Sequence, residues 1–288
     1  MRITTRMLSD DAVRQLQAST ESMSRASEQV STTKRLNRPS DDPSQTRSAV
    51  NLREGIAELE QYRRNIDVAD RTLSATDAAL GSAGEIMQRA RELAVQGANG
   101  SLSPLDRTQL AVEVDQLLQG LLQQSQAKSA GSFLFSGFRT DIAPFATATG
   151  PYLGDGGAIM ARTAPNSSLQ INITADTAFA PALAALVTLQ TGLAAGTPVA
   201  GSTITAIDVG FDALISARGQ TGARQNRLEE TASFLEGTIL ASRKLLSGLE
   251  DADMTEAIST LVQRQATYDA ALKVNARIMQ TTLLDVLR

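Results

Sequence analysis

Residues 204–249 read ITAIDVGFDALISARGQTGARQNRLEETASFLEGTILASRKLLSGL. Alternating steps of three and four put Ile204, Ile207, Phe211, Leu214, Arg218, Thr221, Gln225, Leu228, Ala232, Leu235, Ile239, Ser242, Leu246 and Leu249 on one line. Nine of those fourteen are large and apolar, and they bracket a polar patch at Arg218, Thr221 and Gln225. Such spacing, held so long, describes one helix with a continuous apolar seam. At 1.5 Å per residue it spans roughly 70 Å if unbroken, against about 11–12 residues for an average globular helix. A helix of that length cannot bury its seam alone. Either another part of the chain or another chain must cover it.

A partner seam lies in residues 44–96. Leu52, Ile56, Leu59, Ile66, Leu73, Leu80 and Met87 mark it, with Tyr62, Ala69, Thr76 and Ala83 between them. Acid-before-base pairs at i, i+4 (Glu60–Arg64, Asp67–Arg71, Glu85–Arg89) suit a solvated outer face. Gly97-Ala98-Asn99-Gly100 stops the helix. Ser103 then caps a new one with Pro104 at its first position and Asp106 in its first turn, and Leu110, Val114, Leu117 and Leu121 carry it to about Lys128. Two long seams and one shorter one are what an antiparallel bundle requires. The 204–249 seam is therefore expected to lie beside 44–96 and 103–128. Gly219 and Gly222, next to the polar patch, suggest either a hinge or, more plainly, local looseness of packing.

The two ends of the chain are weaker. Residues 8–34 carry a thin stripe (Val13, Leu16, Thr20, Met23, Ser27, Val30), and residues after 254 carry another (Ile258, Leu261, Gln265, Tyr268, Leu272, Asn275, then Leu283, Leu284 and Leu287). Helices with so narrow an apolar face are marginal alone and are expected to order by pairing with each other and with neighbouring chains. Between the first helix and the bundle, Asn37-Arg38-Pro39-Ser40-Asp41-Asp42-Pro43 holds two prolines among cap residues and must break the helix. Asp41-Asp42 and Asp251/Asp253 lack the ligand spacing of a calcium loop and read as caps. From 139 to 200 the helical period is lost. Ser168–Thr174 alternates like a strand, and an Ala-rich helix is expected near Pro181–Ala194. The fold class expected is mainly α: a long antiparallel helical bundle or coiled coil, paired terminal helices, and a small, mostly β insert.

Composition narrows the chemistry. The 288 residues include no Cys and no His, which removes thiol nucleophiles, Ser-His-Asp triads and nearly all zinc, haem and iron–sulfur sites. No catalytic residue, cofactor or metal site is expected. With 27 basic and 31 acidic residues there is no basic face for nucleic acid, and no run reaches the ~18–20 apolar residues of a membrane span. The start, MRITTRMLSDD, lacks the apolar core of a secretory signal.

Several motifs resemble the bacterial flagellin superfamily. On the N-terminal side they are Arg38-Pro39-Ser40-Asp41-Asp42-Pro43, Ala90-Arg91-Glu92-Leu93-Ala94-Val95-Gln96-Gly97-Ala98-Asn99-Gly100 and Glu113-Val114-Asp115-Gln116-Leu117. On the C-terminal side they are Gly222-Ala223-Arg224-Gln225-Asn226-Arg227-Leu228-Glu229 and Leu249-Glu250-Asp251-Ala252-Asp253-Met254. Met1-Arg2-Ile3-Thr4, Asn37–Pro43 and Phe133-Leu134-Phe135-Ser136-Gly137-Phe138 look most like the superfamily's hook–filament junction members. The resemblance implies a structural subunit of the flagellum, exported unfolded by the flagellar type III apparatus and placed outside the cell. Its implied partners are further copies of itself in a ring, an adjoining hook-associated junction protein on the hook side, flagellin on the filament side, and a cytoplasmic export chaperone on the C-terminal helix. The implied domains are 1–43 with 251–288 as an inner assembly domain, 44–138 with 201–250 as the central bundle, and 139–200 as the outer insert. The implied assembly interface is Val13, Leu16, Met23, Val30, Ile258, Leu261, Tyr268, Leu272, Leu283, Leu284 and Leu287. Asn37, Arg38, Pro39, Asp41, Asp42 and Pro43 form the inter-domain turn. Leu52, Ile56, Leu59, Ile66, Leu73, Phe211, Leu214, Leu228, Leu235 and Ile239 form the bundle seam. A short filament-forming flagellin and, from another class, a soluble coiled-coil adaptor are the alternatives.

Overall fold

The computed structural model describes residues 5–286, with side chains described at 7 and 10–277. The helices are α1 Thr5–Thr32, α2 Pro43–Gly97, α3 Pro104–Ser125, α4 Ala175–Ala178, α5 Ala180–Ala194, α6 Gly201–Glu250 and α7 Met254–Val286. The strands are β1 Lys128–Ser129, β2 Ser132–Phe133, β3 Met160–Ala164 and β4 Ser167–Gln170, forming two antiparallel pairs, β1–β2 and β3–β4. The chain divides into two compact units, residues 1–57 with 238–288, and residues 58–237. Both α2 and α6 contribute to each unit.

In the 58–237 unit the seam of α6 is covered as its spacing requires. Ile207, Leu214, Thr221, Leu228 and Leu235 are buried, and the other seam positions there are half-buried except Arg218. On α2, Tyr62, Ile66, Ala69, Leu73, Thr76, Leu80, Ala83 and Met87 are all buried. These residues form two apolar clusters. One joins Tyr62, Ile66, Ala69 and Leu73 to Leu228 and Leu235. The other joins Leu80, Ala83 and Met87 to Ile207 and Leu214.

Between the clusters lies the polar patch, and α2 supplies its partners. Arg218 grips both carboxylate oxygens of Asp77 at 2.9 and 3.1 Å, and Gln225 donates to Ser74 Oγ at 3.1 Å. Buried Thr76 and Thr221 satisfy their hydroxyls on the carbonyls one turn back, Thr72 and Ala217. Acid–base pairing along α2 differs from the simple i, i+4 reading. Asp67 pairs with Arg63, and Arg89 pairs with Glu92 one turn on and with Glu113 of α3. Helix α6 runs unbroken through Gly219 and Gly222.

The cover of α6 is not limited to α2 and α3. Helix α5 is apolar nearly all round, the mark of a helix buried on most sides. It packs on α3, and Ala182 comes so close to Gly210 of α6 that a Cβ there would meet Ala182 Cα at 2.7 Å. Residues 139–200 thus share one core with the helices: Phe145, Ile173, Phe179, Leu183 and Leu186 join the same cluster as Met87 and Leu214. Helix takes more of this stretch than strand, since regular pairing is confined to β3 and β4. The Phe133–Phe138 run is anchored inward: Phe135 and Ser136 are fully buried, and the Phe135 ring meets Phe179 edge-on at 4.9 Å. Gly137, at φ +69°, has Asp155 packed where a side chain would be.

The ends of α2, α3 and α5 meet at one point. Ser103 and Asp106 form the capping box of α3, with Pro104 opening the helix. Helix α5 ends in a Schellman motif: Thr197 N donates to Gly192 O at 3.3 Å and Gly196 N to Leu193 O at 2.9 Å, with Gly196 at φ +70°. Buried Arg107 spans the gap, donating to Gly97 O, Asn99 O and Gly196 O at 3.4, 3.0 and 3.2 Å. A cation suits this place because the C-terminal ends of α2 and α5 present unpaired carbonyls and negative dipole ends.

Candidate assembly surface

The unit of residues 1–57 and 238–288 is built around the terminal helices. Helices α1 and α7 pack on each other and run antiparallel, since α1 leads into, and α7 leads out of, a shared pair of linkers. Far from those linkers Asn275 Nδ2 still donates to Ala12 O, at 3.2 Å. The covered face of α1 follows Leu16, Ser19, Met23, Ala26 and Val30, of which only Ala26 is fully buried. That of α7 follows Met254, Ala257, Leu261, Tyr268, Ala271 and Asn275, of which only Ala257 is fully buried. Small residues let the backbones approach, but the apolar area removed from water is thin.

Several large apolar side chains stay in water. Ile258 is 49% exposed, Val262 59% and Leu272 39%. At about 100° per residue Ile258 and Val262 share one face of α7, roughly a quarter turn from the face that meets α1, with Leu272 on the border between the two. Val13 is 43% exposed and lies outside the covered face of α1. The predicted stripes therefore split. Leu16, Met23, Val30, Leu261 and Tyr268 are half-buried, and Val13, Ile258 and Leu272 are exposed. Leu283 and Leu284 have no described side chains, and Leu287 and Met1–Thr4 lie outside the described residues.

The turn 37–43 has a separate job for each residue. Arg38 reaches back to Glu28 of α1 at 2.9 Å. Asn37 Nδ2 donates to Lys34 O at 3.0 Å. The Asp41 carboxylate accepts from the Asn37 and Arg38 amides at 3.2 and 2.8 Å and closes the turn on itself. Asp42 Oδ1 accepts from the amides of Ser44 and Gln45, both at 3.0 Å, as the N-cap of α2, and Pro43 fills the first helical position, where no amide proton is needed. The Gln45 amide, then the Ser44 hydroxyl, hold the Asp42 carboxyl below its ordinary value. Pro39 contributes only its fixed backbone. Asp253 does for α7 what Asp42 does for α2, accepting from Thr255 N at 2.9 Å.

The linkers on either side lock together. Lys34 and Asp251 form an antiparallel bridge, Arg35 N donates to Glu250 O at 2.6 Å, and Ala252 N donates to Thr33 O at 3.0 Å. The sequence alone marks Asp251 as a cap residue and Glu250 as part of a motif, with no role for the Glu250 carboxylate. Among the described residues no helix is long and apolar enough to cross a membrane.

An apolar face left in water beside a helix pair of thin contact is the geometry of a subunit built to associate. The comparisons agree. The bacterial flagellin N-terminal helical region matches residues 3–140, and the bacterial flagellin C-terminal helical region matches residues 204–287. Flagellar hook-associated protein 3 of Escherichia coli (strain K12) is 27% identical over 302 residues, covering 95% of each chain. The flagellar filament 31.3 kDa core protein of Treponema maltophilum is 29% identical over 261 residues, covering 88% of each. A solved structure from Vibrio parahaemolyticus, described as a flagellar hook-associated protein, superposes with a TM-score of 0.67 at 25% identity, covering 73% of this chain and all of that one. Matched at both ends of its helical body, in the order that the antiparallel pairing demands, the chain belongs to the bacterial flagellin family of flagellar structural proteins.

Proposed function

We propose that this protein joins the flagellar hook to the filament. The observation that carries the reading is the end-to-end correspondence with hook-associated protein 3, which takes in the 139–200 stretch as well as both helical regions. In this reading the protein has no catalytic role. It leaves the cell unfolded through the flagellar type III apparatus, its C-terminal helix held beforehand by a cytoplasmic chaperone. Copies then form a ring outside the cell, with a hook-associated protein on one side and flagellin on the other. Residues 1–43 with 251–288 line the inside, 44–138 with 201–250 form the bundle around them, and 139–200 face outward. Exposed Ile258, Val262 and Leu272 are the contacts between copies.

Deleting the gene tests the reading. Cells should keep hooks, lose attached filaments and release flagellin into the medium, and a plasmid copy should restore filaments. Intact filaments in the deletion strain would exclude the junction role. A second reading, a short filament-forming flagellin, is favoured by the similarity to the Treponema filament core protein. Purified protein growing alone into long filaments would establish it.

A further inference from the structure

Glu250 is the only buried carboxylate among the described residues. It sits where the α1–α2 linker, the first part of α2 and the end of α6 converge. Lys34 Nζ donates to its Oε2 at 3.1 Å, and Arg53 Nη2 lies 2.7 Å from its Oε1, although both cations are themselves about half exposed. Its backbone carbonyl accepts the Arg35 and Leu36 amides at 2.6 and 3.4 Å. The other charged groups here are Arg35, whose guanidinium donates to Leu249 O at 3.0 Å and also meets Gln45, and Asp251, which is taken up by the Ser247 hydroxyl. One carboxylate is therefore shared by two cations, Lys34 and Arg53, and the linkers that begin and end the terminal helices are fastened around it. Removing one charge from a buried, hydrogen-bonded ion cluster is strongly destabilising, because the remaining charges are left without their partner. Beyond this clasp, α1 and α7 are joined by thin apolar contact. In residues 58–237, by contrast, the buried polar side chains are Thr76, Arg107, Ser125, Ser136, Thr163, Asn172 and Thr221, none of which changes charge in acid.

We infer that Glu250 is an acid-released catch on the terminal helix pair: its protonation opens the Lys34–Glu250–Arg53 clasp and frees α1 from α7, while residues 58–237 stay folded. The direction follows from the carboxyl's surroundings. Burial pushes it up, but the hydrogen bonds and charges of Arg53 and Lys34 outweigh burial and hold it below its ordinary 4.5. A carboxyl depressed in the folded state stabilises the fold above its unfolded value, and that stabilisation is lost as pH falls through the folded value. Release therefore belongs below pH 4.5 and not above it.

Hydrogen exchange of the full chain, read by mass spectrometry as protection factors from pH 7 to pH 3, tests the catch. In the wild type, peptides from 5–32 and 254–277 should lose protection on acidification before peptides from α5 do. Glu250→Gln, isosteric and uncharged, should show weakened protection of the terminal peptides already at pH 7, by roughly tenfold for each pH unit of depression lost, with α3 and α5 unchanged as the internal control of folding. Arg53→Gln, which leaves Lys34 on the carboxylate, should move the release to higher pH. Loss of protection at one pH throughout the chain, or a Glu250→Gln profile indistinguishable from the wild type, overturns the inference.

Discussion

Arg107 shows what a single side chain does in this molecule. Its five N–H donors lie in one rigid plane, and three backbone carbonyls from two helix ends and a loop converge on that plane. Lysine offers a compact charge that cannot reach all three positions at once. Arg107→Lys should therefore destabilise the protein by on the order of 2–3 kcal/mol, the scale of charged hydrogen bonds lost from a buried place. Thermal unfolding followed by far-ultraviolet circular dichroism measures it, and an unchanged midpoint would contradict this role. Sequence reading of this helix found Ser103, Pro104 and Asp106, because caps are local chemistry written in adjacent letters. It passed over Arg107. A hint was present: a cation in the first turn opposes the helix dipole, so something outside the helix must hold it there. Asn172 is a similar case. It begins a glycosylation-like triplet, yet it is buried, its amide donating to Gly157 O at 2.7 Å and accepting from Ile159 N at 2.8 Å. No sequence rule reveals that a side chain is already fully engaged.

At the scale of elements, periodicity was the most legible property. The seams of α2 and α6 are buried or half-buried at every position read from 3-4 spacing except Arg218, whose charge is met by Asp77. The Ala-rich run Pro181–Ala194 places helix α5 within one residue but does not place it in the bundle. An Ala- and Leu-rich segment has almost no polar face, so its sequence does not say which neighbour it will join. Gly210, which makes room for it, gives no signal until Ala182 is seen against it. The terminal helices are the reverse case. Their stripes were visible, but two neighbouring faces were merged into one, because thin stripes of Leu, Val and Met leave the centre of the face undefined. The split has a consequence for assembly. Ile258→Glu with Val262→Glu changes well-exposed residues turned away from the α1–α7 contact, so the purified monomer should keep its helix content and melting behaviour. In cells lacking the gene, the same variant should restore far fewer attached filaments than the wild type, counted by electron microscopy. Normal filament numbers would remove this face from the assembly surface.

For the whole molecule, the uneven distribution of apolar burial matters most. Residues 58–237 hold both large apolar clusters, including fully buried Leu73, Leu80, Met87, Leu121, Phe135, Phe179 and Ile207. The other unit buries only Ala26, Ala49, Ile56, Ile239 and Ala257 among its described apolar residues, none of them completely. Each fully buried Leu or Phe contributes about 1.5–3 kcal/mol, several times what an alanine can. Residues 58–237 expressed alone should therefore unfold cooperatively in urea, with a midpoint close to that of the full chain's more resistant transition. A segment that is unfolded in buffer would contradict this division.

The polar layer between the two clusters has a mechanical consequence. Apolar contacts have no direction: a helix displaced by one turn, about 5.4 Å, still sets leucine against alanine and loses little. Asp77 gripping Arg218, with Ser74 meeting Gln225, cannot tolerate that step, since each pair would face an apolar or mismatched neighbour. The layer works like a key in a shaft. When α2 and α6 are pulled lengthwise past each other, the apolar surfaces slide while these four side chains resist, together with the Arg63–Glu236 and Arg91–Asp208 pairs on either side, so resistance along the axis comes from a few directional contacts rather than from the buried area.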